Sequence, residues 1–376
     1  MLWLAWKTLL FEKVRFFITI VGIAFSTILV LTQIGIYLGM MGNATSIIRN
    51  SDADIWITSK NIQNFDFANP MPEDRINKIR AIPDILWADR LILTWGFLKT
   101  EGGGQEQVQI IGFNPDTGVG APWAMIYGRP SDVKGGRYMV IDKSSEHRLG
   151  ALIPNSVWEL NKKRFKLVGI SGGIVSFTTS PIIFMSYEQA QNFTEGFLEP
   201  NDTSFILGKL KDKKNINKVI NELKKTMKDN DIFTKNGFML KTIKYWTIQT
   251  GIGMGFFLTA ILGLIIGGAI VGQTIYSNTM QHLREFGTLK ALGAKNEDVY
   301  QVILWQAAMN ATAGYLIGSI LIILLKEGIE KSGVPMYMNF MIILVLFIVI
   351  LLICLLSAYF SIMKIKNIDP VMVFRS

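Results

Sequence analysis

Phe16-Phe17-Ile18-Thr19-Ile20-Val21-Gly22-Ile23-Ala24-Phe25-Ser26-Thr27-Ile28-Leu29-Val30-Leu31-Thr32-Gln33-Ile34-Gly35-Ile36-Tyr37-Leu38-Gly39-Met40-Met41 contains no Lys, Arg, Asp or Glu. An α-helix needs roughly 20 apolar residues to cross about 30 Å of hydrocarbon, so this stretch is long enough to span a membrane. Three further uncharged runs of the same kind follow: Trp246 to Tyr276, Val299 to Leu325 and Met338 to Met363. A buried helix of a soluble protein accounts for one such run, not for four. Lys7, Lys13 and Arg15 before the first run resemble the start of a signal peptide, but no charge appears through Ile48, which is too long for a signal-peptide core.

Composition agrees. Of the 376 residues 50% are hydrophobic, and the mean hydropathy is +0.33, too apolar for an ordinary soluble chain. The net charge of +9 could suggest nucleic acid. It is spread out, however: residues 41–248 carry 27 Lys/Arg against 22 Asp/Glu, and the remainder 11 against 7. No stretch forms a nucleic-acid face, and no nucleic-acid partner is expected. The one cysteine, Cys354, lies in an apolar run and excludes a disulfide within the chain.

Orientation follows from basic residues in short segments beside the spans. The N-terminal segment has Lys7, Lys13 and Arg15, the second connection Arg284, Lys290 and Lys295, and the tail Lys364, Lys366 and Arg375. All three are expected in the cytoplasm, so both termini are cytoplasmic. In the third connection Lys326 and Lys331 are balanced by Glu327 and Glu330, which places it outside with the large insertion. The layout expected is an interfacial helix over 1–15 bearing Trp3 and Trp6, spans at 16–41, 246–276, 299–325 and 338–363, and an extracytoplasmic domain at 42–245. A cytoplasmic loop at 277–298, a short external loop at 326–337 and a cytoplasmic tail at 364–376 complete it. The fold class is thus an α-helical membrane protein with four transmembrane helices and a large extracytoplasmic α+β domain inserted between the first and second spans.

Small residues four apart let helices approach closely. Gly35 and Gly39, Gly263 and Gly267, Gly268 and Gly272, and Gly314 and Gly318 predict that the first three spans pack against protein. The Leu/Ile-rich fourth, without glycine, is expected to face lipid. No span contains a charge, which disfavours an ion-driven transporter or a charged pore. Gln33, Gln306 and Asn310 are expected to hydrogen-bond between helices.

The insertion mixes strand and helix patterns. Strands are expected at Ala53 to Thr58, Leu86 to Thr100, Gln105 to Phe113, Val157 to Leu160, Phe165 to Ile170, Ser204 to Leu210 and Phe238 to Ile243. Pro72 to Ile82 reads as a helix burying Ile76, Ile79 and Ile82. Asn215 to Met227 reads as another, with one apolar stripe and a solvated face bearing Lys218, Lys224, Lys225 and Lys228. Outer parts 42–113 and 200–245 are expected to form one subdomain, with a strand-rich middle lobe at 114–199.

Catalytic chemistry finds little support. Gly169-Ile170-Ser171-Gly172-Gly173 fits the G-x-S-x-G nucleophile turn. No convincing helix follows it, and the one later histidine, His282, falls across the membrane; the order Asp142, His147, Ser171 remains open to a triad. A glycine-rich turn after a strand is the better reading. No G-x-x-x-x-G-K-[ST] loop occurs, so a phosphate cradle for ATP is not expected in this sequence. Two distant histidines and one cysteine offer no zinc cluster. Energy for any uphill movement is therefore expected from another chain.

The most specific segment is Gln281-His282-Leu283-Arg284-Glu285-Phe286-Gly287-Thr288-Leu289-Lys290-Ala291-Leu292-Gly293-Ala294. Leu283, Phe286 and Leu289 fall on one side of a short helix, Arg284, Glu285 and Lys290 supply polar contacts, and Gly293 suits a left-handed cap. Asn296-Glu297-Asp298 can start the next helix. An amphipathic helix of this kind fits a partner's groove. The segment from Arg284 to Ala294 resembles the R-E-[IF]-G-x-[LM]-[KR]-A-[LIV]-G-A signature of FtsX/MacB-like ABC transporter permeases. The tail from Asp369 to Arg375 resembles that family's P-x-x-[AV]-[LF]-R ending, and Trp6-Lys7-Thr8-Leu9 leading into the first span resembles its start.

The resemblance implies a permease subunit of an ABC complex, bound to a separate cytoplasmic ATPase and paired with a second permease copy as a homodimer in the bacterial plasma membrane. Motion driven by ATP would pass through the spans to the external domain, for export or extraction of a lipid-like or amphiphilic substrate. It also implies the ATPase-coupling residues: Arg284, Glu285 and Lys290 as polar contacts, Phe286 and Leu289 in the groove, and Gly287, Gly293 and Ala294 setting the backbone. ATP and Mg belong to the partner ATPase, and no cofactor is expected in this chain. Without a fused ATPase the sequence resembles split-subunit members, and Gly128-Arg129-Pro130 leans toward the DevC-like exporters. A periplasmic adaptor, an outer-membrane duct and membrane lipid are further partners of that reading. An FtsX-like signalling subunit regulating an envelope hydrolase is the alternative.

Overall fold

A computed structural model describes residues 2–366 except 101, 178–179, 194–198, 283, 286 and 289–292. The chain divides into two compact units, Met1–Gly39 with Ile252–Ser376, and Met40–Gly251.

In the first unit, among the described residues, four helices are long and apolar enough to cross a membrane: Lys13–Ala44, Ile252–Gln281, Asn296–Lys331 and Phe340–Lys366. At 1.5 Å per residue they are longer than the hydrocarbon layer is thick. A separate helix, Leu2–Phe11, buries Ala5 and Leu9 and leaves Trp3 and Trp6 exposed. It packs against the third span.

Glycines set how closely the spans approach. A Cβ on Gly314 would lie 2.6 Å from Ile23 Cβ, and one on Gly318 2.7 Å from the Ala24 carbonyl oxygen, so the third span lies directly on the first. Gly263 and Gly267 meet Leu29 and Ser26, while Gly268 and Gly272 meet Ser357 of the fourth span. Gly39 abuts the Pro335 carbonyl before the fourth span. Close backbones allow side chains to bond across helices. Ser26 Oγ donates to Gly263 O at 2.6 Å, Ser361 Oγ to Gly272 O at 3.0 Å, and the Tyr315 hydroxyl to Ile343 O. Gln306 and Asn310, expected to make such bonds, are buried, but Gln306 Nε2 and Asn310 Oδ1 have no partner among the described residues. The fourth span is the least buried of the four.

The second unit holds strands β1 (Ile55–Ser59), β2 (Met71–Pro72), β3 (Ile85–Lys99), β4 (Gln105–Phe113), β5 (Met125–Tyr127), β6 (Tyr138–Asp142), β7 (Val157–Leu160), β8 (Lys163–Ser171), β9 (Ile182–Ser186), β10 (Asp202–Thr203), β11 (Phe205–Leu210) and β12 (Asn230–Thr234). Among the described residues ten of them form one sheet ordered β12-β1-β11-β3-β4-β9-β6-β8-β5, with β7 beside β3 and β8. The long strand β3 is the spine: Ile85 to Leu91 pair with β11, and Ile92 to Lys99 pair with β4. The segment 114–199 joins through β9, which runs parallel to β4. Asn161 and Lys162 both adopt positive φ, the two-residue turn that matches the twist of the β7–β8 hairpin.

Packing explains the helices. Helix Ile216–Thr226 buries Val219, Ile220 and Leu223, the expected stripe, over Ile57, Ile206 and Ile232 of the sheet. Ile76 and Ile79 join that core from a short helix, Ile76–Arg80, and Ile82 joins it from just past the helix end. Two expectations need correction. Phe238 to Ile243 is not a strand but part of helix Lys235–Lys244; Thr234 caps it, its Oγ1 accepting from Gly237 N at 2.9 Å, and the edge strand is β12 just before. Phe238 and Thr242, four apart, are the residues that helix buries, and Phe238 packs on Trp56 with ring centroids 5.5 Å apart. The second span also begins later than the uncharged run. Trp246 lies in a π-helical turn, Tyr245–Gln249, and Gly251, with φ +75°, breaks the helix before Ile252.

Candidate coupling segment

The second span ends at Gln281, and the backbone continues through His282, whose N–H donates to Asn278 O at 3.1 Å. The imidazole is placed between two carboxylates. Its Nε2 is hydrogen-bonded to Glu12 Oε1 at 3.0 Å, whereas its Nδ1 lies 2.9 Å from Glu285 Oε2 without a hydrogen bond among the described residues. Glu12 sits at the bend between helix Leu2–Phe11 and the first span, and its Oε1 also accepts from Arg15 Nη1 at 3.0 Å. His282 and Glu12 are largely buried, whereas the Glu285 side chain is 70% exposed.

Arg284, Glu285, Gly287 and Thr288 are helical, and Arg284, Glu285 and Thr288 are exposed. The Thr288 hydroxyl donates back to Arg284 O at 2.9 Å. Phe286, Leu289 and Lys290 lie outside the described residues, as does the tail motif at 369–375. Gly293 has φ +99°, open to glycine at little strain and costly for other residues. Ala294 follows, and Lys295 N then donates to Asp298 Oδ2 at 2.9 Å as helix Asn296–Lys331 begins. Glu297 and Asp298 in its first turn complement the positive end of the helix dipole. Among the described residues, Arg284 and Glu285 thus stand exposed between His282 and the capped start of the third span.

Sequence reasoning named Arg284 and Glu285 but not the Glu12–His282 pair beneath them. Glu12 is the sole acidic residue before Asp52, a signal visible in the sequence, but its partner is 270 positions away.

The other motif behaves as a structural element. Ser171 is fully buried and donates to Asp142 Oδ2 at 2.8 Å, which also accepts from Ile174 N at 2.9 Å. His147 is exposed, with Nδ1 2.6 Å from Ser144 O. The serine proton thus goes directly to a carboxylate inside the sheet, and the hydroxyl is closed to a substrate. Among the described residues no three His, Cys, Asp or Glu side chains group as metal ligands. Lys218 pairs with Asp84 at 3.0 Å on an exposed face, holding that carboxyl below the usual range.

The family model described as MacB-like periplasmic core domain matches residues 16–226, and that described as FtsX-like permease C-terminal matches residues 243–370. An uncharacterized ABC transporter permease of Methanocaldococcus jannaschii is 24% identical over 231 residues, covering 58% of this chain and 57% of that protein. Another from Mycobacterium tuberculosis is 22% identical over 324 residues, 85% of each chain. The macrolide export ATP-binding/permease protein MacB of Photorhabdus laumondii is 24% identical over 344 residues, 84% of this chain and 51% of that protein. Among solved structures, the periplasmic region of MacB from Actinobacillus actinomycetemcomitans is 16% identical with a TM-score of 0.38, covering 55% of this chain and 98% of that one.

Proposed function

The chain belongs to the ABC transporter permease family that carries a MacB-like periplasmic core domain and an FtsX-like C-terminal part, and we propose that it is the permease subunit through which a separate cytoplasmic ATPase moves an external domain. The observation that carries this reading is the segment after the second span. Arg284 and Glu285 stand exposed on a helical turn that His282 and Glu12 fix to the base of two spans. An exposed turn carrying both signs of charge, next to the fixed end of a span, suits docking to a partner.

In this reading both termini and the coupling segment face the cytoplasm of a bacterial plasma membrane. A second copy completes the complex, and ATP with Mg is bound and hydrolysed on the ATPase. The charge-free spans suit a lever better than a conduit, since a charged path would have to be satisfied within the membrane. The cargo class is amphiphilic or lipid-like. Co-purification of the ATPase subunit with the full chain tests the docking role: Arg284→Glu is expected to abolish it while the chain stays folded. An intact complex with Arg284→Glu removes Arg284 from the contact.

A further inference from the structure

Glu12 is a carboxylate at a helix bend with a side chain only 16% exposed. A charge so placed has to be compensated, or the bend would be unstable. Arg15 supplies one partner and His282 the other, both at Oε1. Its second oxygen, Oε2, is buried with no partner among the described residues. Glu12 and Arg15 also line a small cavity with Asn278, Gln306 and Asn310, of the second and third spans. Asn278 Oδ1, Gln306 Nε2 and Asn310 Oδ1 are likewise buried and without a partner among the described residues, and the space holds about one water molecule. One carboxylate therefore stands where the first span begins, beside the polar faces of the second and third.

We infer that Glu12 is a positioning residue for the start of the coupling segment, holding His282 at its Nε2. The inference rests on the coupling reading above. Held at Nε2, the ring ties the end of the second span to the bend before the first span. With Glu12 in place, the backbone that enters the turn at His282 moves with the start of the first span. A push on that turn is delivered to the first and second spans together, rather than absorbed by a loose connection.

The test uses the full chain in lipid nanodiscs, with Cys354→Ala and spin labels on Lys13→Cys and Thr288→Cys. The parent is expected to give a narrow distance distribution that Glu12→Ala and His282→Ala each broaden. Glu12→Gln, which keeps an oxygen for His282 Nε2, restores the narrow form. The double variant Glu12→Ala/His282→Ala is no broader than either single one. In 15N-histidine spectra, which hold signals from two histidines, Glu12→Gln shifts His282 and leaves His147 unmoved. A parent width retained in His282→Ala, or a His282 signal unmoved in Glu12→Gln, overturns the inference, even if Glu12→Ala does not fold. The ATPase is absent from this measurement, so a held segment that binds no ATPase would defeat the coupling reading alone.

Discussion

Asp66 is a carboxyl buried in the sheet-rich unit, where Gln109 Nε2 donates to Oδ1 at 3.3 Å and Trp246 Nε1 to Oδ2 at 3.2 Å. Burial pushes its pKa up to about 6, and the two donors only partly offset that. Because the folded value lies above the unfolded one, the native state holds the proton longer. Stability therefore falls as pH rises from about 4 to about 6 and levels off above, a contribution on the order of 3 kcal/mol. Trp246 stacks on Phe177 with ring centroids 3.7 Å apart, so this carboxyl anchors the turn that leads toward the second span. Melting of the full chain followed between pH 4 and 7.5 is expected to show the native protein gaining on Asp66→Asn as pH drops. Parallel pH dependence of the two would contradict it.

At the level of elements, glycines in the spans divide into those that touch a neighbour and those that do not. An added Cβ on Gly318 meets the Ala24 carbonyl at 2.7 Å, where a backbone atom cannot step aside, whereas Gly255 has open space around it. Gly318→Ala should destabilise the bundle by about 1–3 kcal/mol through overpacking, and Gly255→Ala should stabilise it by up to about 1 kcal/mol through helix propensity. Denaturant titration of the full chain in detergent reads both, and equal effects would refute the contact. The close approaches are legible in the spacing of these glycines, because helical periodicity alone puts residues four apart on one face. The β3–β4 hairpin is legible too, from two alternating runs around Gly102-Gly103-Gly104. Phe238 to Ile243 misleads because its helix is short and buries two residues, too few to show a 3.6-residue period. Trp246 falls inside the uncharged run, yet such a run says where a membrane could begin, not where Gly251 breaks the backbone. The Glu12–His282 contact is hidden altogether, since nothing local in either residue points to the other.

At the scale of the whole molecule, the chain joins an apolar four-span unit to a sheet-rich unit through the first span and the turn before the second. Neither unit has, among the described residues, a grouped set of metal ligands, and the motif that resembles a nucleophile turn is closed by Asp142. What the four-span unit presents instead is a held, charged turn after its second helix. We propose that work enters at this turn and leaves through the sheet-rich unit. The most direct measurement places a spin label on Lys99→Cys, an exposed residue at the end of β3, in the complex with its ATPase, and reads the distance between copies with and without a non-hydrolysable ATP analogue. The distance is expected to shift on nucleotide binding in the native complex and to stay fixed with Arg284→Glu; an unchanged distance in a native complex that hydrolyses ATP would contradict the account.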